Sequence, residues 1–212
     1  MDIQQFIHDF LLIAPPLLFA LTAHEAAHGY VAWKLGDPTA KNEGRLSLNP
    51  LRHLDPLGAL AFFIIQVGWA KPVPVNPDNF RDPRKAMLMV ALAGPAANLL
   101  LAVLSAIVAQ LILLLANAPP AVISLLIPAM DMTTASVAIN IMLMVFNCLP
   151  VPPLDGSKVL MGLLPPDAAR QYARIEPYGI VLVLLLFYTG VLGSIIDPVT
   201  RIANSLLLGP SE

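Results

Sequence analysis

Residues 10–33 read FLLIAPPLLFALTAHEAAHGYVAW. A transmembrane helix needs about 20 mostly apolar residues. The run from Phe10 to Trp33 meets that length but carries His24, Glu25 and His28 inside it. An ionisable residue within a span costs about 2.5–3.5 kcal/mol on insertion scales, so three in one turn call for a functional reason. On a helix, His24 and His28 stack on one face at i and i+4. Their imidazoles can share one zinc ion at about 2.0–2.1 Å each. Glu25 lies beside them, placed to take a proton from an attacking water. In a chain with this many His and Glu residues the pattern arises by chance roughly once in a thousand sequences.

The rest of the chain suits such a helix. Of 212 residues, 57% are hydrophobic and only 12% charged, and the mean hydropathy is +0.74. A soluble domain has roughly 45–50% apolar and about 25% charged residues. Too few charges remain to cover a water-facing surface. The single cysteine, Cys148, excludes a disulfide scaffold. The abundance of core-forming residues excludes disorder. A net charge of −2 with no basic stripe excludes nucleic acid as a partner. The expectation is an integral membrane protein, all-α and multi-pass, whose solvent is the lipid bilayer, forming one domain over residues 1–212.

Further apolar stretches mark the other spans. Leu57–Val67 is short and ends at Gly68-Trp69. Ala86–Ala116 is long and interrupted by Gly94-Pro95. Met132–Leu149 follows a weaker stretch, Ala121–Met130. Tyr178–Ile196 makes a fifth span, and Val199–Leu208 reads as an amphipathic piece lying on a surface. The start Met-Asp-Ile-Gln-Gln has no basic n-region, so a signal peptide is not expected. Basic residues follow the first span (Lys34, Lys41, Arg45, Arg52), precede the third (Lys71, Arg81, Arg84, Lys85) and follow the fourth (Lys158, Arg170, Arg174). The connection Asn117–Pro120 has none. The positive-inside rule places all three basic loops in the cytoplasm. That requires Leu57–Val67, too short to cross as a helix, to enter and leave by one side as a re-entrant hairpin. Both termini then lie outside.

A catalytic zinc takes three protein ligands and keeps a position for water. His53 and His8 could supply the third, but Asp155 fits better. It ends Asn147-Cys148-Leu149-Pro150-Val151-Pro152-Pro153-Leu154-Asp155-Gly156. The prolines there stop the fourth span, and Gly156 permits a tight turn. Non-helical backbone at membrane depth belongs where it lines a buried or wet cavity. Taken alone, Asp155 would read as an N-cap of the helix Ser157–Leu164. Asn98, after Gly94-Pro95-Ala96-Ala97, could donate to a developing oxyanion, although interhelical glue is the commoner work of a buried asparagine. Asn140 reads as glue. Asn147 could orient either the Pro-rich turn or a substrate.

These residues together resemble the site-2 proteases, zinc metalloproteases that cut within membranes, in the compact bacterial form without a PDZ domain. The resemblance rests on His24-Glu25-Ala26-Ala27-His28, Gly94-Pro95-Ala96-Ala97-Asn98, and Asn147 through to Leu154-Asp155-Gly156. It extends to Gly36-Asp37-Pro38-Thr39-Ala40, Gly44-Arg45-Leu46-Ser47-Leu48-Asn49-Pro50 and His53-Leu54-Asp55-Pro56-Leu57-Gly58, and covers about Leu21 to Leu164. After about Pro165 only a generic hydrophobic span is visible. The resemblance implies one zinc per chain held by His24, His28 and Asp155, with Glu25 as general base. It also implies that Asn98 helps stabilise the tetrahedral intermediate, that His53 lies near the site, and that Gly68–Asn76, with Trp69, Val73 and Val75, forms a re-entrant, β-like segment beside it. The extra leading helix of some members does not precede the motif in this sequence, so gating ascribed to that helix does not carry over.

The expected architecture is therefore a helical bundle with a short re-entrant segment near the active site. Its catalytic core covers about 10–164, and a C-terminal span with an amphipathic tail covers about 165–212. The expected activity is intramembrane zinc-dependent cleavage of a membrane-anchored, single-spanning protein at the cytoplasmic side of the cell membrane. The substrate would pair as an extended strand along Gly68–Asn76, where Val73 and Val75 favour extended structure and Pro72 and Pro74 cannot donate. A metal-binding transporter or channel is the alternative from another class, but it needs neither Glu25 beside His24 nor a helix-ending Asp-Gly. A catalytically silent homologue that binds membrane helices is a second.

Overall fold

The computed structural model describes residues 2–58, 69–115 and 118–209, and no strand forms among them. Helix α1, Ile3–Lys34, starts from an Asp2 N-cap and contains the HExxH residues in its C-terminal half. Its 32 residues reach about 48 Å, more than the roughly 30 Å of a bilayer's hydrocarbon core. Pro15 and Pro16 lie inside it without ending it.

Helix α2, Pro83–Leu113, begins with the Asp82 side chain accepting from the Lys85 N–H at 3.1 Å and with proline at N1. The interruption expected at Gly94-Pro95 does not occur. The helix runs through, because Pro95 removes only one N–H and its neighbourhood is packed by α1 and α3. Helix α3, Pro120–Cys148, is likewise continuous and joins the two stretches that hydropathy separates around Asp131. Among the described residues four helices are long and apolar enough to cross a membrane: α1, α2, α3 and the last of them, Val191–Leu208.

The C-terminal region departs from expectation. Four helices follow the Pro-rich turn: α4, Asp155–Leu163; α5, Pro166–Ala173; α6, Gly179–Tyr188; and α7, Val191–Leu208. The expected span Tyr178–Ile196 is broken at Gly190, whose φ of +77° ends α6 in a left-handed cap. Ten residues reach only about 15 Å, so α6 is too short to span. The helix long and apolar enough to cross here is α7 instead, and it includes the stretch Val199–Leu208 expected to lie on a surface. Ala203, Leu207 and Leu208 of α7 pack on Ala102 and Ala106 of α2 and Val137 and Ile141 of α3. Alanines let the backbones approach, and that contact drives helix association where lipid removes the hydrophobic gain. Large apolar side chains point outward, Leu125 at 77% and Leu206 at 80% exposed. A bundle with this exterior is a multi-pass membrane protein.

Of the expected re-entrant segment Leu57–Val67, residues 59–67 lie outside the described residues. Among the described residues the β-like character near it is one isolated antiparallel bridge, Leu54 with Ala70, closed by the Lys71 N–H donating to the His53 carbonyl at 2.7 Å; Gly68 of the expected Gly68–Asn76 segment also lies outside them. The loop after α1 is tied by Asp37 to the Asn76–Asn79 turn that precedes α2. This buried carboxylate accepts from the Thr39 N–H and hydroxyl, the Asn76 N–H and the Asn79 amide. Burial works against its charge, but these hydrogen bonds outweigh it and hold the carboxyl below its usual range.

Candidate metal centre

Helix geometry brings His24 and His28 together, with their Nε2 atoms 3.0 Å apart. Asp155, the first residue of α4, places Oδ2 at 3.0 Å from one and 3.1 Å from the other. All three side chains are buried. Asp155 sits there because the Pro-rich turn folds back on the end of α3. A Cβ on Gly156 would lie 2.2 Å from the Cys148 carbonyl oxygen, so only glycine allows that approach. Gly156 thus serves by close packing inside a helix rather than by a turn conformation. The expected alternatives fall elsewhere. His8 is exposed beside Asp9, and His53 points its Nε2 at the Ser47 carbonyl. Among the described residues His24, His28 and Asp155 form the one group able to share an ion.

The donor set fits zinc. The His28 Nδ1 faces the Val90 carbonyl at 2.7 Å and the His24 Nδ1 faces the Asn98 Oδ1 at 2.6 Å. Both partners are acceptors, so both ring protons sit on Nδ1 and both Nε2 lone pairs face inward. Asp155 Oδ2 is itself buried without a hydrogen-bond donor. Three electron-rich atoms about 3 Å apart repel one another unless a cation lies between them. Three corners of a zinc tetrahedron are about 3.3 Å apart, a few tenths wider than here. Gly94 of α2 makes room for the pair: a Cβ there would lie 2.5 Å from both imidazole Nε2 atoms.

Asn98 stands behind His24. It is fully buried, and its Nδ2 donates to Asn140 Oδ1 at 2.9 Å and to the Ala20 carbonyl at 3.3 Å. Both amide hydrogens are therefore used within the protein, and the geometry is that of a group orienting the imidazole. Asn140 extends the network to Ser136, and Ser136 to Ser105. Asn140 is the interhelical glue expected of it, with Asn98 as its partner across helices. The Val90 carbonyl escaped sequence reading, since it is backbone and has no side-chain signature. Asn147 turns its amide onto the Leu143 carbonyl of its own helix.

Glu25 is half-buried, and its Oε2 accepts from the Val73 N–H at 2.9 Å. Val75 packs against the cluster Ala32, Phe80, Ala86 and Val90. Trp69 is half exposed, and with Leu18, Leu21, Thr22 and His53 it lines a cavity of about 20 Å³. The Lys71 and Val73 N–H groups are both engaged within the chain, and Pro72 and Pro74 have none. The Val75 N–H and the Val73 and Pro74 carbonyls take no partner among the described residues.

Fold and site together define a multi-pass α-helical membrane protein with a buried two-histidine, one-aspartate centre. The chain is similar to "Putative zinc metalloprotease YwhC" of Bacillus subtilis (strain 168), 36% identical over 210 residues that cover 97% of this chain and 94% of that protein. It is similar to "Putative zinc metalloprotease Rip2" of Mycolicibacterium smegmatis, 30% identical over 87% of this chain and 69% of that protein. It is also 31% identical to the protein of the same name from Mycobacterium tuberculosis (strain H37Rv), over 84% and 67%. The chain belongs to this family, the site-2 protease family. No family model and no solved structure matches it.

Proposed function

We propose that the protein is an intramembrane zinc endopeptidase that cuts peptide bonds in or near the membrane spans of anchored proteins. The observation that carries this reading is the meeting of His24, His28 and Asp155 within 3.1 Å, one residue from Glu25, inside a bundle of apolar helices. His24, His28 and Asp155 would hold one zinc per chain. Zinc bound there supplies Lewis-acid polarisation and water activation. Glu25 takes a proton from the attacking water and passes it to the leaving amine, work worth typically 10²–10⁴-fold in rate. Asn98 and the Val90 carbonyl hold the imidazoles in the ligating tautomer.

The substrate is a single-spanning protein. Its scissile carbonyl is hidden in i to i−4 hydrogen bonds until that helix unwinds, and the freed groups then need partners. The Val75 N–H and the Val73 and Pro74 carbonyls supply some, beside Glu25. The catalytic centre opens to the cytoplasmic side of the cell membrane. Cysteines replacing Lys41, Arg81 and Arg170, in a Cys148-free background, would then label from that one side of sealed vesicles; labelling of Lys41 and Arg81 positions from opposite sides refutes this topology.

The deciding experiment is cleavage of an anchored single-span reporter by purified protein in proteoliposomes, with and without a zinc chelator. Glu25→Gln should keep zinc and lose cleavage, since glutamine matches the volume but is no base. Near-normal turnover of that variant overturns the assignment.

A further inference from the structure

Arg45 is a buried cation with no anion beside it among the described residues. It is 4% exposed, and none of the ion pairs among the described residues includes it. The chemistry above gives it no task. Burying a guanidinium is costly, and this one is partly satisfied: Nη2 donates to the Lys71 carbonyl at 2.6 Å and the Pro72 carbonyl at 3.3 Å, while Nε is buried with no partner among the described residues. The charge thus acts on two consecutive carbonyls of one extended segment.

That segment is held at further points along its length. The Lys71 N–H donates to the His53 carbonyl, and the Asn76 N–H to Asp37 at 2.8 Å. Between Lys71 and Val75, prolines at 72 and 74 leave a single backbone donor, the Val73 N–H. It lands on Glu25 Oε2 at 2.9 Å. A glutamate carboxylate on a flexible stem needs such a contact to present its second oxygen in one direction, and a general base must stand within hydrogen-bond reach of the proton it takes.

We propose that Arg45 is a positioning residue for Glu25: by pinning the Lys71 and Pro72 carbonyls it holds the Val73 amide against the Glu25 carboxylate beside the metal centre. This rests on the peptidase reading above. Arg45 makes no hydrogen bond or ion pair with the metal ligands or Glu25 among the described residues, so its polar influence passes through the segment.

The test uses the full chain, zinc-loaded, with zinc content, backbone amide exchange and cleavage of the anchored reporter measured side by side. Arg45→Met keeps the apolar stem and removes the donors. It should retain wild-type zinc while amides of residues 69–76 exchange about tenfold faster and α1, α2 and α3 stay protected. Its kcat should fall about tenfold, part of what a general base supplies, and KM should rise as well, because the same segment offers the substrate backbone partners. Arg45→Lys keeps a donor and should restore part of both effects. Val73→Pro deletes the one amide that reaches Glu25, leaves Arg45 in place, and should reproduce the kcat loss. Unchanged exchange over 69–76 in Arg45→Met overturns the proposal. So does a uniform rise across α1–α3 in both Arg45 variants, or full turnover by Val73→Pro. A wild type that fails to cleave in a zinc-dependent way overturns the peptidase reading instead, and the exchange measurement still decides whether Arg45 holds the segment.

Discussion

Gly94→Ala adds one methyl group where α2 meets the metal centre. Its Cβ would lie 2.5 Å from His24 Cε1, His24 Nε2 and His28 Nε2, whereas ordinary contact begins at 3.4 Å, so rings and helix must part by about 0.9 Å. Ligand positions tolerate displacements of roughly 0.2 Å. Relief by moving α2 outward does not help, because Asn98 and Val90, the partners of the two Nδ1 atoms, are both on α2 and would leave with it. Loss of such outer partners alone costs about 10–100-fold in metal affinity, and displaced ligands add to that, so zinc affinity should fall at least 100-fold. The fold should survive. Alanine improves the helix by about 1 kcal/mol over glycine, against roughly 1–3 kcal/mol for overpacking. Competition for zinc against a chromophoric chelator, with helicity followed by circular dichroism, measures both. Wild-type zinc affinity in a helical Gly94→Ala protein would refute the close packing of the imidazoles on α2.

Asp155→Ala should bind zinc far more weakly than wild type while remaining helical; unchanged retention in metal analysis removes Asp155 from the ligand set. Asn98→Ala should lower zinc affinity about 10–100-fold by freeing the His24 ring, and Asn140→Ala, one contact further out, should have a smaller effect in the same chelator competition. Asp37 has its carboxyl held below the ordinary 3.8, so the stability it adds is fully present above that value and is lost as pH falls through the lowered one. Thermal melts between about pH 6 and pH 3 should therefore lose more stability in wild type than in Asp37→Ala; parallel losses would refute the linkage.

The spans and the histidine pair were legible because both obey local rules. A bilayer demands about 20 apolar residues whatever surrounds them, and i, i+4 places two side chains on one face of any helix. Where hydropathy stopped short was helix continuity. It separated the two halves of α3 and ran through the break at Gly190, since apolarity reports suitability for lipid and says nothing of backbone conformation. The preference for Asp155 over His53 and His8 rests in the sequence on the Pro-rich turn that ends at Asp155-Gly156. Where Asp155 lies depends on how α4 packs against α2, a contact between residues far apart in the chain. Arg45 shows the limit most clearly. In the sequence it is one of several loop cations that mark a membrane side; in the fold it is buried and bound to two carbonyls. The sequence alone determined the membrane class, the histidine pair on one helix face and the glutamate beside it, because each depends on spacing within a turn or a span. The tertiary structure decided which distant carboxylate meets the histidines, what faces each imidazole Nδ1 and what donates to Glu25, because backbone acceptors and buried donors acquire partners only when the helices pack.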